Sequence, residues 1–330
     1  MSLTTPLSQK FGLRMPILAG GLMWLADAEY VAACAHAGIM GFVTAASFPD
    51  PADLRAEIAK AHRLCGGKPF GVNVSMLPKL VPGEQTADIF KLIAQTGVDV
   101  VETSGRNPEE YMAQLKAQGT FVIHKVPSVR FAMKAQSIGV DMVAIVGAEC
   151  GGHPGLDLIG TMVNNALALE RLDIPFVIGG GIGHGAQIAA AIAMGASGVV
   201  MGTRLLVAEE LNAHHGYKQA LVDASERDTV LTMQSVRNTI RTLKNDTTTL
   251  VAQMEAENPE IGFEGLRPHV AGVIGRKAYE TGDVSKGMLS AGHALGLTDR
   301  IEPMADIVTR LEMQADVAAL RLRGASDAHS

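Results

Sequence analysis

Two apolar, β-branched runs that each end in glycine constrain this chain most. Val177-Ile178-Gly179-Gly180-Gly181-Ile182-Gly183-His184-Gly185 is followed by Val199-Val200-Met201-Gly202-Thr203, with a helix-like run from Ala186 to Met194 between them. This reads as a strand, helix, strand unit whose strand ends are bare backbone. Glycine lets main-chain N–H groups approach an anion without a Cβ in the way, and a following helix N-terminus adds roughly half a positive charge. A phosphate suits such a place. In an eight-fold β/α barrel the loops after strands seven and eight are the usual phosphate cradle. The ordinary alternative, that these glycines only make tight turns, is weakened because two glycine ends occur at barrel spacing.

The rest of the chain supplies the other units. Candidate strands fall at Ile17 to Gly20, Gly41 to Ala46, Phe70 to Val74, Val98 to Ser104, Phe121 to Val126, Met142 to Gly147, Pro175 to Gly181 and Gly198 to Thr203. Helix-like runs lie between them at Ala28 to Ala37, Pro51 to Ala61, Asp88 to Thr96, Pro108 to Ala117 and Val129 to Ile138. Eight alternations predict an α/β fold, a (β/α)8 TIM barrel. A doubly wound open sheet would carry its glycine fingerprint after the first strand instead. From Leu205 to Lys286 the strand pattern stops and amphipathic runs take over, predicting a helical insertion after strand eight. The expected organisation is a barrel domain of residues 1–204 and 287–330, and a mainly helical, substrate-covering insertion of residues 205–286. A last helix from Glu302 to Leu322 should pack back on the barrel, leaving Arg323 to Ser330 as a frayed tail.

Bulk properties exclude several classes. The 330 residues are 47% hydrophobic and 19% charged with 36 glycines, as suits a parallel sheet buried on both faces. A net charge of −6 without a basic block argues against a nucleic-acid partner. Cys34, Cys65 and Cys150 form no Cys-x-x-Cys pair, so neither a disulfide framework nor a thiolate zinc site is expected, and a reducing cytoplasm is the natural compartment. The opening Met1-Ser2-Leu3-Thr4-Thr5-Pro6 does not read as a signal peptide. Tyr30 to Pro49 lacks Asp, Glu, Lys and Arg, but Gly38 and Gly41 split it into a short helix and a strand, so no membrane span is expected.

Active groups of such a barrel sit just past the C-terminal ends of the strands. Strand one ends in Gly20-Gly21-Leu22-Met23, whose backbone could border a flat ring. Strand three offers Asn73, strand four Glu102-Thr103-Ser104, and strand five His124-Lys125. Asn73 and Lys125 are the groups a flavin ring wants near N1 and the C2 carbonyl, where negative charge develops on reduction; otherwise they would be a turn former and a surface charge. The loop after strand six, Glu149-Cys150-Gly151-Gly152-His153-Pro154-Gly155, carries His153, the first candidate for acid, base or electrostatic work, with His184 its competitor. His214-His215 face different ways on a helix and complete no metal site. Cys150 stands where barrels of the inosine monophosphate dehydrogenase type carry a nucleophile, but Glu149 beside it disfavours a thiolate and the residue reads as structural.

These segments together resemble the nitronate monooxygenase (2-nitropropane dioxygenase) family of FMN-dependent barrels over nearly the whole length. The resemblance rests on Pro16-Ile17-Leu18-Ala19-Gly20-Gly21-Leu22, Pro69-Phe70-Gly71-Val72-Asn73-Val74, the Glu149 to Gly155 loop, Gly179-Gly180-Gly181 and Met201-Gly202-Thr203-Arg204. It implies that Gly180, Gly181, Gly202 and Thr203 hold the FMN phosphate, that Gly20, Gly21, Leu22, Met23, Asn73, Lys125 and Gly152 border the cofactor, and that His153 faces the substrate. It implies oxidation of alkyl nitronates with O2 to a carbonyl compound and nitrite. The chain also resembles an NADH:quinone reductase sister group, through Asn73-Val74-Ser75-Met76-Leu77-Pro78, Val101-Glu102-Thr103-Ser104-Gly105, Ile123-His124-Lys125, Ser235-Val236-Arg237-Asn238-Thr239 and Gly282-Asp283 leading to Ser290-Ala291-Gly292. That alternative uses NAD(P)H as co-substrate at the same site. A homodimer is the assembly allowed for, and a non-redox barrel that merely binds a phosphate ligand is the remaining reading. The chain departs from the family at Ala19, where glutamine is usual, and at Val146, where a polar residue is common. Both changes are expected to remove hydrogen-bonding partners near the ring.

Overall fold

The computed structural model describes residues 3–76 and 85–327. Leu77 and Pro78 of the sister-group segment, Met1 and Ser2 of the opening, and residues 328–330 of the expected tail lie outside that description. Eight parallel strands close into a barrel in simple chain order. They are β1 (Ile17–Ala19), β2 (Met40–Thr44), β3 (Gly71–Met76), β4 (Val100–Gly105), β5 (Phe121–Val126), β6 (Met142–Val146), β7 (Phe176–Gly179) and β8 (Val199–Met201), and β1 pairs with β8 to close the ring. Helix α1 (Pro6–Phe11) precedes the barrel. The helices between strands are α2 (Ala28–Ala37), α3 (Pro51–Cys65), α4 (Thr86–Ala94), α5 (Glu109–Ala117), α6 (Val129–Ser137), α7 (Thr161–Arg171) and α8 (Gly185–Ala193). This is the expected TIM barrel.

Strand periodicity divides the core in two. Leu18, Met40, Phe42, Val100, Ile123, Met142, Ala144, Val177 and Val200 fill the barrel interior, and Leu7 and Leu13 join them from the α1 region. The alternate residues, among them Ile17, Val43, Val72, Val101, Val122, Val143, Ile178 and Val199, form the larger layer between sheet and helices. Ala19 belongs to this outer layer and is fully buried, so its side chain turns toward the helices. The expectation that Ala19 costs the ring a partner is therefore corrected. Val146 shares the inward parity of Met142 and Ala144, and its apolar side chain does border the mouth.

After β8 come α9 (His215–Asp223), β9 (Thr229–Thr232), β10 (Ile240–Leu243), α10 (Asp246–Glu257), α11 (Gly262–Val270) and α12 (Gly272–Thr281). The expectation that strands stop after β8 is corrected: β9 and β10 form an antiparallel hairpin in register Ile240 to Thr232 through Leu243 to Thr229. Helix α13 (Met304–Asp327) then packs against α8 and α2, in the place of the eighth barrel helix. It runs past the expected end at Leu322, so the residues from Arg323 to Asp327 continue a helix instead of fraying. No described helix is long and apolar enough to cross a membrane.

Candidate active site

The interior layer changes from apolar to polar at the C-terminal mouth. Register places Asn73 beside Glu102, and Ser104 beside Lys125. All of these share the inward parity of Val100 and Ile123. Asn73 donates from Nδ2 to Glu102 Oε2 at 2.5 Å, and Lys125 Nζ donates to the same oxygen at 3.0 Å. Glu102 is fully buried, and its Oε1 has no hydrogen-bond partner among the described residues. A Cβ on Gly21 would lie 2.4 Å from Asn73 Cγ, so glycine there lets the β1 loop rest on this amide. His124, one residue from Lys125, points the other way: its Nδ1 pairs with Thr103 Oγ1 at 2.8 Å in the outer layer, and burial pushes its pKa down to about 4.

The glycine ends of β7 and β8 flank the opposite side. Gly180 and Gly181 have φ of +106° and +69°, conformations that suit glycine. A Cβ on Gly180 would meet Thr161 Oγ1 at 2.7 Å and one on Gly181 would meet Glu149 Cβ at 2.9 Å, so close packing beneath the loop also requires them. The N–H groups of Gly180, Gly181, Gly202 and Thr203 find no acceptor among the described residues. Such N–H groups at neighbouring strand ends are what a phosphate requires. The Thr203 hydroxyl is already engaged, accepting from Gly292 N at 2.9 Å.

Two of the expected ring donors are committed elsewhere. Gly20 N donates to Met201 O at 3.0 Å, and Gly152 N to Arg241 O at 2.9 Å. Gly20 and Gly152 therefore border the mouth without a free N–H. Leu22 and Met23 lie on the rim, Met23 exposed. The Leu22 carbonyl accepts from Leu25 and Ala26.

His153 stands on the loop between β6 and α7, and β10 holds that loop from outside. Gly152 and Arg241 exchange two backbone hydrogen bonds, while the Arg241 guanidinium donates twice to Ala148 O, at 3.2 and 3.1 Å, and once to Thr229 Oγ1 at 3.1 Å. The imidazole is exposed, yet enough protein crowds it that desolvation draws its pKa below the usual histidine value, with a hydrogen bond to Asn238 acting the other way. Upstream in the loop, Glu149 accepts from Thr161 N and Thr161 Oγ1 and so caps α7. Cys150 is a structural thiol, pushed up to about 12 by burial. His184 is occupied as the N-cap of α8, its Nδ1 accepting from Ala186 N at 3.0 Å, and it lines a separate cleft of about 210 Å³ near α13. His214 caps α9 in the same way, and no metal-binding cluster occurs among the described residues.

The structure thus brings Asn73, Lys125, Gly21, Gly180, Gly181, Gly202, Thr203 and His153 to one barrel end. Sequence reasoning gave no role to Glu102, the lone acid of strand four, or to Arg241 and Asn238 in the hairpin. Glu102 shares a two-residue parity with inward Val100, and that was its available signal; the hairpin contacts had none.

A family model described as nitronate monooxygenase matches residues 4–314. The chain is 31% identical over 264 residues to the (3aS,4S,5R,7aS)-5-hydroxy-7a-methyl-1-oxo-octahydro-1H-indene-4-carboxyl-CoA dehydrogenase of Mycobacterium tuberculosis, covering 80% of this chain and 72% of that relative. Its structure superposes on FabK from Thermotoga maritima with a TM-score of 0.88 and 33% identity, covering 98% of this chain and 99% of the other. Nitroalkane oxidase from Streptomyces ansochromogenes gives a TM-score of 0.81 and 25% identity, covering 96% and 99%. With the barrel, the glycine-lined strand ends and the mouth histidine in place, the chain belongs to the nitronate monooxygenase family, a family of flavin-dependent oxidoreductases.

Proposed function

We propose that the protein is an FMN-dependent NAD(P)H:quinone reductase. The observation that carries this reading is the charge state of the mouth. Lys125 is paired with Glu102, and His153, with its pKa drawn down, is uncharged near neutral pH. Of the groups aimed at ring and substrate, neither offers an unpaired positive charge to an anionic nitronate. A neutral acceptor meets Val146, Met23 and an imidazole able to donate or accept one hydrogen bond. The segments that resemble the quinone-reductase sister group also build this mouth. Glu102 and Lys125 come from two of them, Asn238 from a third, and Gly292, which binds Thr203, from a fourth.

The donor set fits FMN. The N–H groups of Gly180, Gly181, Gly202 and Thr203 would hold its phosphate, with Asn73 and Lys125 along the ring. When bound, FMN supplies the electron transfer between donor and acceptor. His153 would orient the acceptor by donating its one ring N–H to the acceptor oxygen, while the proton that completes the reduction comes from solvent. Nitronate oxidation with O2 is the second reading, favoured by the match to the family model and the likeness to nitroalkane oxidase. The non-redox reading falls with membership in a family of oxidoreductases. Three unpaired cysteines, two of them fully buried, suit the reducing cytoplasm we assign to it.

Anaerobic mixing of the flavin-loaded protein with NADH, NADPH or an alkyl nitronate in turn, followed by flavin absorbance, tests the reading. Bleaching by a nicotinamide is expected, with recovery on adding quinone. Bleaching by the nitronate alone would replace the proposal with the second reading, and failure to take up FMN would overturn both. In the same assay His153→Ala should retain the flavin while slowing recovery by quinone at least tenfold; unchanged rates with every donor and acceptor would remove His153 from the mechanism.

A further inference from the structure

Glu102 is a fully buried carboxylate at the floor of the mouth, and both of its hydrogen bonds fall on one oxygen. A carboxylate can only accept, so its contact with Asn73 dictates which way that amide faces. Nδ2 is drawn to Glu102, leaving Oδ1 as the acceptor near Ser75 Oγ, 3.4 Å away. The second contact joins Glu102 to Lys125, whose side chain is 22% exposed and reaches toward the opening while the acid beneath it is sealed from solvent. The acid therefore acts on anything in the mouth through Lys125, which is partly open to it, and through the Asn73 amide, which lies buried beneath Gly21.

We propose that Glu102 is a positioning residue for the bound flavin: it fixes the amide orientation of Asn73, offsets the charge of Lys125, and through them keeps the flavin's reduction potential low. This rests on the reading of the mouth as an FMN site. An uncompensated ammonium near the ring would favour the reduced, more negative cofactor, and a carboxylate 3.0 Å from that ammonium removes much of the preference. The ion pair is also shielded from salt, because one partner is buried.

The test is the reduction potential of the FMN-loaded protein, measured by anaerobic titration against a reference dye, in wild type, Glu102→Gln, Glu102→Asp, Lys125→Met and the Glu102→Gln/Lys125→Met double variant. Glu102→Gln should favour reduced flavin about tenfold, which for a two-electron couple is a rise of about 30 mV. Lys125→Met should shift the potential downward, and Glu102→Asp should stay near wild type. Adding Glu102→Gln to Lys125→Met should produce less than a third of its effect in wild type, because a buried acid that has lost its ammonium partner takes up a proton and no longer carries the charge the amide would remove. If Glu102→Gln fails to fold, Lys125→Met and Glu102→Asp still decide: an unchanged potential in Lys125→Met removes the charge the acid is said to offset. Wild-type potentials in Glu102→Gln, or the same rise in both backgrounds, overturn the proposal while leaving FMN binding intact. A wild-type protein that binds no flavin overturns the FMN site itself, and this inference with it.

Discussion

His124 and Lys125 are adjacent in the chain and separated by the sheet. Lys125 faces the mouth, whereas His124 lies in the outer layer, 5% exposed, with Thr103 as its partner. Burial holds its pKa at about 4, against an ordinary value near 6.5. Between those pH values the unfolded chain binds a proton that the folded protein does not, so stability rises with pH across the window. The contribution is whole above about pH 6.5 and is lost as pH falls toward 4. By linkage this group accounts for about 3 kcal/mol over that range. Urea unfolding of wild type and His124→Gln at pH 7 and pH 4.5 should show the variant losing less stability on acidification; parallel losses would mean that His124 is charged in the folded state or solvated well enough to titrate normally.

The hairpin of β9 and β10 does for the mouth what no barrel strand does, because it ties the His153 loop down from outside. Arg241, 8% exposed, carries most of that connection through Ala148 O, Thr229 and two backbone bonds to Gly152. Arg241→Met keeps the backbone bonds and the bulk but strands the Ala148 carbonyl and the Thr229 hydroxyl. A cost of about 1.5–3 kcal/mol is expected, with faster proteolysis in the turn around Gln234 to Asn238. Unchanged unfolding midpoint and cleavage rate would show that the backbone bridge alone fixes the loop. Legibility of the sequence follows the same division. Strands such as Phe121–Val126 could be read because their apolar character comes from burial on both faces, a property of the segment itself. The short Thr229–Thr232 and Ile240–Leu243 mix polar and apolar residues, and they are strands only because each pairs with the other. Helix α7 opens on Thr161 after a glycine-rich loop, and its capping carboxylate comes from Glu149, twelve residues upstream. At the mouth, Asn73, Lys125 and the glycine ends were legible as strand-end residues, whereas the joining of Asn73 and Lys125 by Glu102 depends on register, which no single strand encodes.

At the scale of the molecule, the barrel is closed by a helix that the chain makes last. Everything from the end of β8 to Met304 intervenes before α13 settles against α8 and α2. The fit is close: a Cβ on Gly185 at the start of α8 would lie 2.0 Å from Leu311 O, and Gly185 N donates to Gln314 Oε1 at 2.9 Å. Met304, Ile307, Val308 and Leu311 are at most 1% exposed. Burying these four side chains contributes about 6–12 kcal/mol, as much as the whole net stability of a typical domain. Residues 258–260 between α10 and α11, by contrast, are exposed in succession. Two interruptions of the chain should therefore have opposite consequences. A single proteolytic cut at 258–260 should leave both fragments associated, with the melting temperature lowered by a few degrees at most, because the break crosses no buried contact. A chain ending at Pro303 should be insoluble or molten, since α8 and α2 then lose the helix packed against them and Gly185 loses its close contacts with Leu311 and Gln314. Size-exclusion chromatography and thermal unfolding of the two species check this. A folded, monomeric 303-residue product would mean that the first seven β/α units form a stable core without their closing helix, and that α13 contributes to the mouth and not to the barrel.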